Sequence, residues 1–205
     1  MANKKKKRDG PPARLPKGFR DIFAAAWHTR QHMNDAICRV YRRYGFQPLE
    51  TSALEYLESL GKYLPEADQP DGGVFALRDD DERWIALRYD LTAPLARVAA
   101  EHRLLPRIFR RYQVGPVWRR EKKPGPGRFR EFYQCDFDTV GAESIVADAE
   151  VCAVLNDALA ELGLQADQYV LRVNHLQLLS GLLEVLGSEQ AEVRLRVLRA
   201  IDKLE

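Results

Sequence analysis

Residues 107–140 read RIFRRYQVGPVWRREKKPGPGRFREFYQCDFDTV. Two runs rich in aromatic and β-branched residues flank Lys122-Lys123-Pro124-Gly125-Pro126-Gly127, where proline and glycine end any regular element. The spacing predicts strand, tight basic loop and strand: one β-hairpin. Residues two apart on a strand share a face, so Arg128, Arg130, Phe132, Gln134, Asp136 and Asp138 project to one side. Phe129, Tyr133, Cys135 and Phe137 project to the other. On the incoming strand the same alternation groups Val117, Arg119 and Glu121 across the ladder from the polar face.

Each residue type on that face has a use with a nucleotide. Arginine bonds phosphate oxygens in pairs, phenylalanine offers a face to a purine, and a carboxylate accepts from an exocyclic amine. The plainer alternative is an amphipathic hairpin with a solvated basic face. Such a face has no need of the phenylalanine, glutamine and aspartates interleaved among its arginines.

A segment made of Gly115-Pro116-Val117-Trp118-Arg119-Arg120-Glu121, then Gly127-Arg128-Phe129-Arg130-Glu131-Phe132-Tyr133-Gln134, then Asp138 with Val140-Gly141 resembles motif 2 of the class II aminoacyl-tRNA synthetases, and in particular of the histidyl-tRNA synthetases. A second block, Leu87-Arg88-Tyr89-Asp90-Leu91-Thr92-Ala93-Pro94-Leu95-Ala96-Arg97, is similar to that family's amino-acid-binding segment. The resemblance runs from about Leu15 to the last residue, including Arg172-Val173-Asn174 and Ile201-Asp202-Lys203-Leu204.

The resemblance implies that Arg119 is the catalytic cation, bridging the α-phosphate of ATP and the amino-acid carboxylate. It implies ATP contacts from Arg119, Glu121 (adenine amine), Arg128 (outer phosphates) and Phe132 (adenine stacking). Histidine would be held by Asp90, Thr92, Arg119, Gln134 and Asp138. Carboxylates suit an ammonium and an imidazole N–H, and Thr92 and Gln134 complete the hydrogen bonds of a buried polar ligand. Asp90 and Thr92 share a face if residues 87–92 are extended; Thr92 also reads as the N-cap of a following helix with Pro94 in its first turn.

The family's second histidine-specific stretch, its motif 3 arginine and its anticodon-binding domain do not occur before Glu205. The expectation is therefore a basic tail over residues 1–14, then the N-terminal part of a class II catalytic domain over residues 15–205, weak or inactive by itself. Where the family carries a motif 1 proline at its dimer interface this chain has Ser52, with Pro48 out of register. A homodimer is implied by the family and is weakened by that departure.

The chain has 205 residues, enough for one sizeable core, with 45% hydrophobic and 30% charged residues as in ordinary globular proteins. Its net charge of +2 hides an asymmetry, since residues 1–20 carry +7 and the remainder −5. The run Lys4-Lys5-Lys6-Lys7-Arg8 reads as a solvated tail, with contact to tRNA as the alternative. No apolar run suggests a signal peptide or a membrane span, and the three scattered cysteines have neither zinc nor disulfide spacing. A cytoplasmic protein with no membrane partner is expected. Cys135, on the greasy face, reads as core rather than nucleophile.

Around the hairpin, a helix is expected over residues 22–44, an extended segment over 46–51, a short helical piece over 54–61 and a loop over 65–73. Strands at 74–77 and 84–89 join through Asp79-Asp80-Asp81-Glu82, read as a polar turn rather than a metal site; no metal-ligand set is expected. Ser144 opens a helix ended by Gly163; residues 170–174 read as a strand and the rest as two helices broken at 187–188. The class is α+β, a mixed, mostly antiparallel sheet flanked by helices. No G-x-G-x-x-G follows a strand and the Pro-Gly-Pro-Gly loop lacks the Lys-Ser or Lys-Thr of a phosphate-binding P-loop, which speaks against a Rossmann fold.

Three functions remain open at this stage. The first is a histidine–tRNA ligase that uses histidine, ATP with Mg2+, and tRNA(His). The second is a non-catalytic synthetase paralogue acting as regulatory subunit of the ATP phosphoribosyltransferase of histidine biosynthesis; the nucleotide set Arg119, Glu121, Arg128 and Phe132 speaks against it. The third is a basic RNA-binding hairpin without a small-molecule site, marked by strong salt dependence.

Overall fold

A computed structural model describes residues 13–60 and 73–173, with the isolated positions 175, 177, 181, 196 and 197. The chain divides into two compact units, Met1–Leu164 and Gln165–Glu205, and all elements below belong to the first. Most of the expected basic tail, nearly all of the loop expected at 65–73 and the two helices expected after residue 174 fall almost wholly outside the described residues.

The first helix, α1 (Ala24–Arg43), is shaped by an apolar stripe of Ile37, Val40, Tyr41 and Tyr44 at helical spacing. Arg42 and Arg43 in its last turn complement the helix dipole before the chain turns at Gly45. Strand β1 (Gln47–Pro48) then runs parallel to β5 (Phe109–Trp118), which pairs antiparallel with β6 (Glu131–Val140) in the order β1-β5-β6. A second, antiparallel sheet has the order β2-β4-β3, formed by β2 (Leu54–Tyr56), β4 (Trp84–Leu87) and β3 (Ala76–Arg78). The expected mixed, mostly antiparallel α+β architecture is present, with its strands divided between two sheets.

The core lies between α1, the lower face of the hairpin and α3 (Val146–Glu161): Val40, Tyr41, Phe46, Tyr112, Val154 and Ala158 are buried, with Cys135 and Phe137 packed against them. The Phe137 ring sits 4.9 Å from Tyr41 and 5.3 Å from Phe46, and the Tyr41 hydroxyl donates to the Cys135 carbonyl at 2.9 Å. The greasy face is thus the one the alternation assigns. Each fully buried apolar side chain here contributes about 1.5–3 kcal/mol.

Four expectations need correction. Residues 54–56 form a strand, and only Leu57–Leu60 is helical, as one 3-10 turn; Glu55 is drawn inward by a two-pronged ion pair with Arg97 at 2.7 and 3.0 Å. The alternation of the hairpin stops at Trp118 and resumes at Glu131, so residues 119–130 are loop, stitched by Arg119 N–H to the Arg130 carbonyl at 2.9 Å. Residues 170–173 form no strand, because no ladder partner meets them among the described residues; Val170 and Val173 are exposed. The turn at residues 79–82 is as expected, Asp79 accepting from the backbone N–H groups of Asp81 and Arg83. The cap expected at Ser144 is shifted: the N-cap position of α3 falls on Ile145, while the Ser144 hydroxyl one residue earlier accepts from Val146 N–H at 3.3 Å.

Candidate functional site

The upper face of the β5–β6 hairpin carries the site residues in sequence along its length. Register pairs Arg111 with Asp138, Gln113 with Asp136, Gly115 with Gln134 and Val117 with Phe132. Phe132 and Asp138 are therefore six positions apart on β6, about 20 Å. One end is cationic and aromatic; the other is acidic.

At the cationic end the Arg119 guanidinium stands 5.0 Å from the Phe132 ring centroid, while its Nε donates to the Tyr89 carbonyl at 3.0 Å. Arg119 thus touches both the adenine-stacking candidate and the residue preceding Asp90. Past the strand end, Glu121 pairs with Arg128 at 3.1 Å, and Arg128 is largely exposed. Arg130, which shares this face by alternation, turns away and donates through Nε to the Glu121 carbonyl at 3.1 Å.

At the acidic end, Asp138 forms a 2.7 Å ion pair with Arg111, whose side chain is 0% exposed, and accepts a hydrogen bond from the Thr92 side chain. The expected cap on α2 (Thr92–Glu101) is corrected: the helix starts at Thr92, and the capping oxygen is Asp90 Oδ1, which accepts from Ala93 N–H at 2.9 Å. Asp90 is placed to reach a first-turn amide, whereas Thr92, already helical, spends its hydroxyl on Asp138. The segment is not extended through Thr92, yet Asp90, Thr92 and Asp138 still converge. Burial raises the carboxyls of Asp136 and Asp138 above the ordinary range, and Arg111 pulls both back. Between the two ends, Gln134 Oε1 is buried with no hydrogen-bond partner among the described residues, an acceptor open to a ligand N–H.

Arg88 braces the hairpin on the same face as Gly115. It is buried, donates to the carbonyls of Pro116 and Thr51 at 3.0 and 2.7 Å, and passes so close to Gly115 that a Cβ there would lie 2.9 Å from its Nη2. Any side chain opposite Gln134 would have to displace the Arg88 guanidinium. Cys135 lies on the core face, its thiol pushed up to about 11 by burial and so neutral at pH 7. Arg111, Arg88 and Asp136 are the residues given no role by the sequence reading. The signal for Arg111 was available: alternation from Arg119 through Val117, Gly115 and Gln113 puts it on the same face.

An antiparallel hairpin bearing arginines and carboxylates on one face, backed by a long helix on the other and edged by a parallel strand, is a fold and site of the class II aminoacyl-tRNA synthetase kind. The chain matches the histidyl-tRNA synthetase family over residues 18–204 and belongs to it. It is 57% identical over 203 residues to the histidine–tRNA ligase of Cereibacter sphaeroides, covering 95% of this chain and 41% of that relative. A crystal structure of histidyl-tRNA synthetase from Nostoc sp. PCC 7120 superposes with a TM-score of 0.77 at 32% identity, over 95% of this chain and 44% of that one. A Bacillus halodurans structure described as an ATP phosphoribosyltransferase regulatory subunit/histidyl-tRNA synthetase gives a TM-score of 0.63 at 30% identity, over 77% and 40% of the two chains. The chain spans about two fifths of the length of these relatives.

Proposed function

We propose that this chain supplies the ATP- and histidine-binding hairpin of a histidine–tRNA ligase, residues 1–14 forming a basic tail and residues 15–205 the N-terminal part of the catalytic domain. In the reaction a histidine carboxylate oxygen attacks the α-phosphorus of ATP, the bond to the β-phosphate breaks, pyrophosphate leaves, and the acyl group of the adenylate then passes to tRNA(His). Such chemistry asks for positioning and charge neutralisation rather than a protein nucleophile. Phe132 stacks the adenine, Glu121 accepts from its amine and Arg128 meets the outer phosphates. Asp90, Thr92, Gln134 and Asp138 hold histidine, and Arg119 neutralises charge where the two substrates meet.

The observation that carries this reading is the station of Arg119, against Phe132 on one side and the Tyr89 carbonyl on the other. Magnesium would arrive on the phosphates of ATP: among the described residues no three His, Cys, Asp or Glu side chains could hold a metal, so no step is assigned to a protein-held ion. The nucleotide set favours a ligase over a histidine-sensing regulatory subunit, as does the ligase name of the relatives at over 50% identity. A cytoplasmic homodimer is part of the same proposal; among the described residues no helix is long and apolar enough to cross a membrane.

Histidine-dependent ATP–pyrophosphate exchange, run with a panel of amino acids, tests the reading. Any exchange should be weak in this chain by itself, supported by histidine alone and abolished by Arg119→Ala. Exchange supported equally by other amino acids, or untouched by Arg119→Ala, would contradict it.

A further inference from the structure

Arg111 is fully buried on β5, yet it belongs to no apolar environment: its Nη2 donates to the Leu91 carbonyl at 2.8 Å and stands 2.7 Å from the Asp138 carboxylate as an ion pair without hydrogen-bond geometry. Leu91 lies between Asp90 and Thr92, and Thr92 in turn donates to Asp138. A single guanidinium therefore fastens three separate pieces of chain, namely β5, the end of β6 and the turn into α2. Its Nε and Nη1 have no hydrogen-bond partner among the described residues. A buried cation with unspent donors is costly for stability alone, since an apolar side chain of similar size fills such a place at no desolvation cost. The cost is understandable if the charge is used.

We propose that Arg111 is the positioning residue of the amino-acid pocket: by holding Asp138 and the Leu91 carbonyl on one nitrogen, it sets the carboxylates of Asp138 and Asp90 and the hydroxyl of Thr92 at the spacing that selects a cationic, imidazole-bearing substrate. The inference rests on the assignment of histidine to this end of the hairpin. It adds a residue that touches no substrate and acts through those that do. The groups facing Asp138 are Arg111 from β5, Asp136 from β6, Asp90 before α2, Thr92 on α2 and, across the sheet, Tyr41 of α1. Among them Arg111 is the cation that opposes the raising effect of burial on the Asp138 carboxyl.

Arg111→Met, Arg111→Lys and the double substitution Arg111→Met with Asp138→Asn test the role. Histidine and ATP are titrated separately by calorimetry, and the Asp138 carboxyl is followed by carbon NMR against pH. In Arg111→Met, histidine affinity should fall on the order of tenfold or more with ATP affinity within about twofold, because Phe132, the adenine-stacking residue, lies six strand positions, about 20 Å, from Asp138. The Asp138 carboxyl should titrate at higher pH than in the parent, and Arg111→Lys should recover part of both effects. The double variant, freed of an unpaired buried carboxylate, should fold like the parent and still bind histidine weakly. Equal losses for histidine and ATP, or an Asp138 titration indifferent to Arg111, would overturn the proposal. Should the parent bind ATP but no histidine, the assignment of the pocket fails, and the NMR titration still decides whether Arg111 governs Asp138.

Discussion

Arg119 is held by contacts on two sides, and its neighbours predict what its loss does. Removing the guanidinium that stands over Phe132 and donates to the Tyr89 carbonyl should weaken ATP binding by about tenfold to a hundredfold, as expected for one charged hydrogen-bonding group. Calorimetry on Arg119→Ala checks this, and unchanged affinity would remove Arg119 from the nucleotide site. Asp136 makes a different prediction. Burial raises its carboxyl above the ordinary range, with Arg111 opposing. A carboxyl raised in the folded state binds protons more readily there than in the unfolded chain, so its contribution to stability is present below the ordinary carboxylate range and lost as pH rises through the raised value. Asp136→Asn should flatten the pH dependence of Tm over that interval, and an unchanged slope would show that the charge is compensated in the fold. At this scale the two faces of the hairpin were legible, since alternation alone sorted Phe132, Gln134 and Asp138 from Cys135 and Phe137. The face of Arg111 was legible by alternation, but its pairing was not, since nothing local sets it opposite Asp138 before the register is known.

The elements owe their places to a few contacts distant in sequence, and those contacts mark the limit of local reading. β2 looked helical because Leu54-Glu55-Leu57 fits a short amphipathic turn, whereas in the fold Leu54 and Tyr56 face outward and Glu55 is buried against Arg97 of α2. No period in a short window reveals a partner 42 residues away. Arg97→Leu strands that carboxylate, and a loss of roughly 3 kcal/mol is expected in denaturant unfolding, most of it recovered by Glu55→Gln in the same chain. Retention of full stability would mean that Glu55 escapes to water. The hairpin has its own vulnerable point beyond Val140. Gly141 adopts φ +83°, and a Cβ there would meet the Arg107 carbonyl oxygen at 2.1 Å. Gly141→Ala should cost about 2 kcal/mol or more from the strained backbone together with the displaced strand end. Thermal unfolding measures it, and a shift of less than a degree would contradict the close approach.

At the scale of the whole molecule, the hairpin organises everything else: α1 and α3 pack beneath it, β1 extends it and the turn into α2 closes over its acidic end. This plan could be read from the sequence because its signals are local, namely a long amphipathic helix, two alternating runs and a Pro-Gly loop between them. The division into two sheets could not, since it depends on which strand edges meet. The strand expected at residues 170–174 is not formed over the described part, 170–173, whose apolar residues have no ladder partner among those described. The central claim is that one face binds two ligands at separate ends. Separate calorimetric titrations of ATP and histidine into the parent chain and into Asp138→Asn test it most directly. The account predicts that Asp138→Asn loses about tenfold to a hundredfold in histidine affinity and keeps its affinity for ATP. Loss of ATP binding with histidine binding intact, or identical affinities for both ligands in parent and variant, would contradict it.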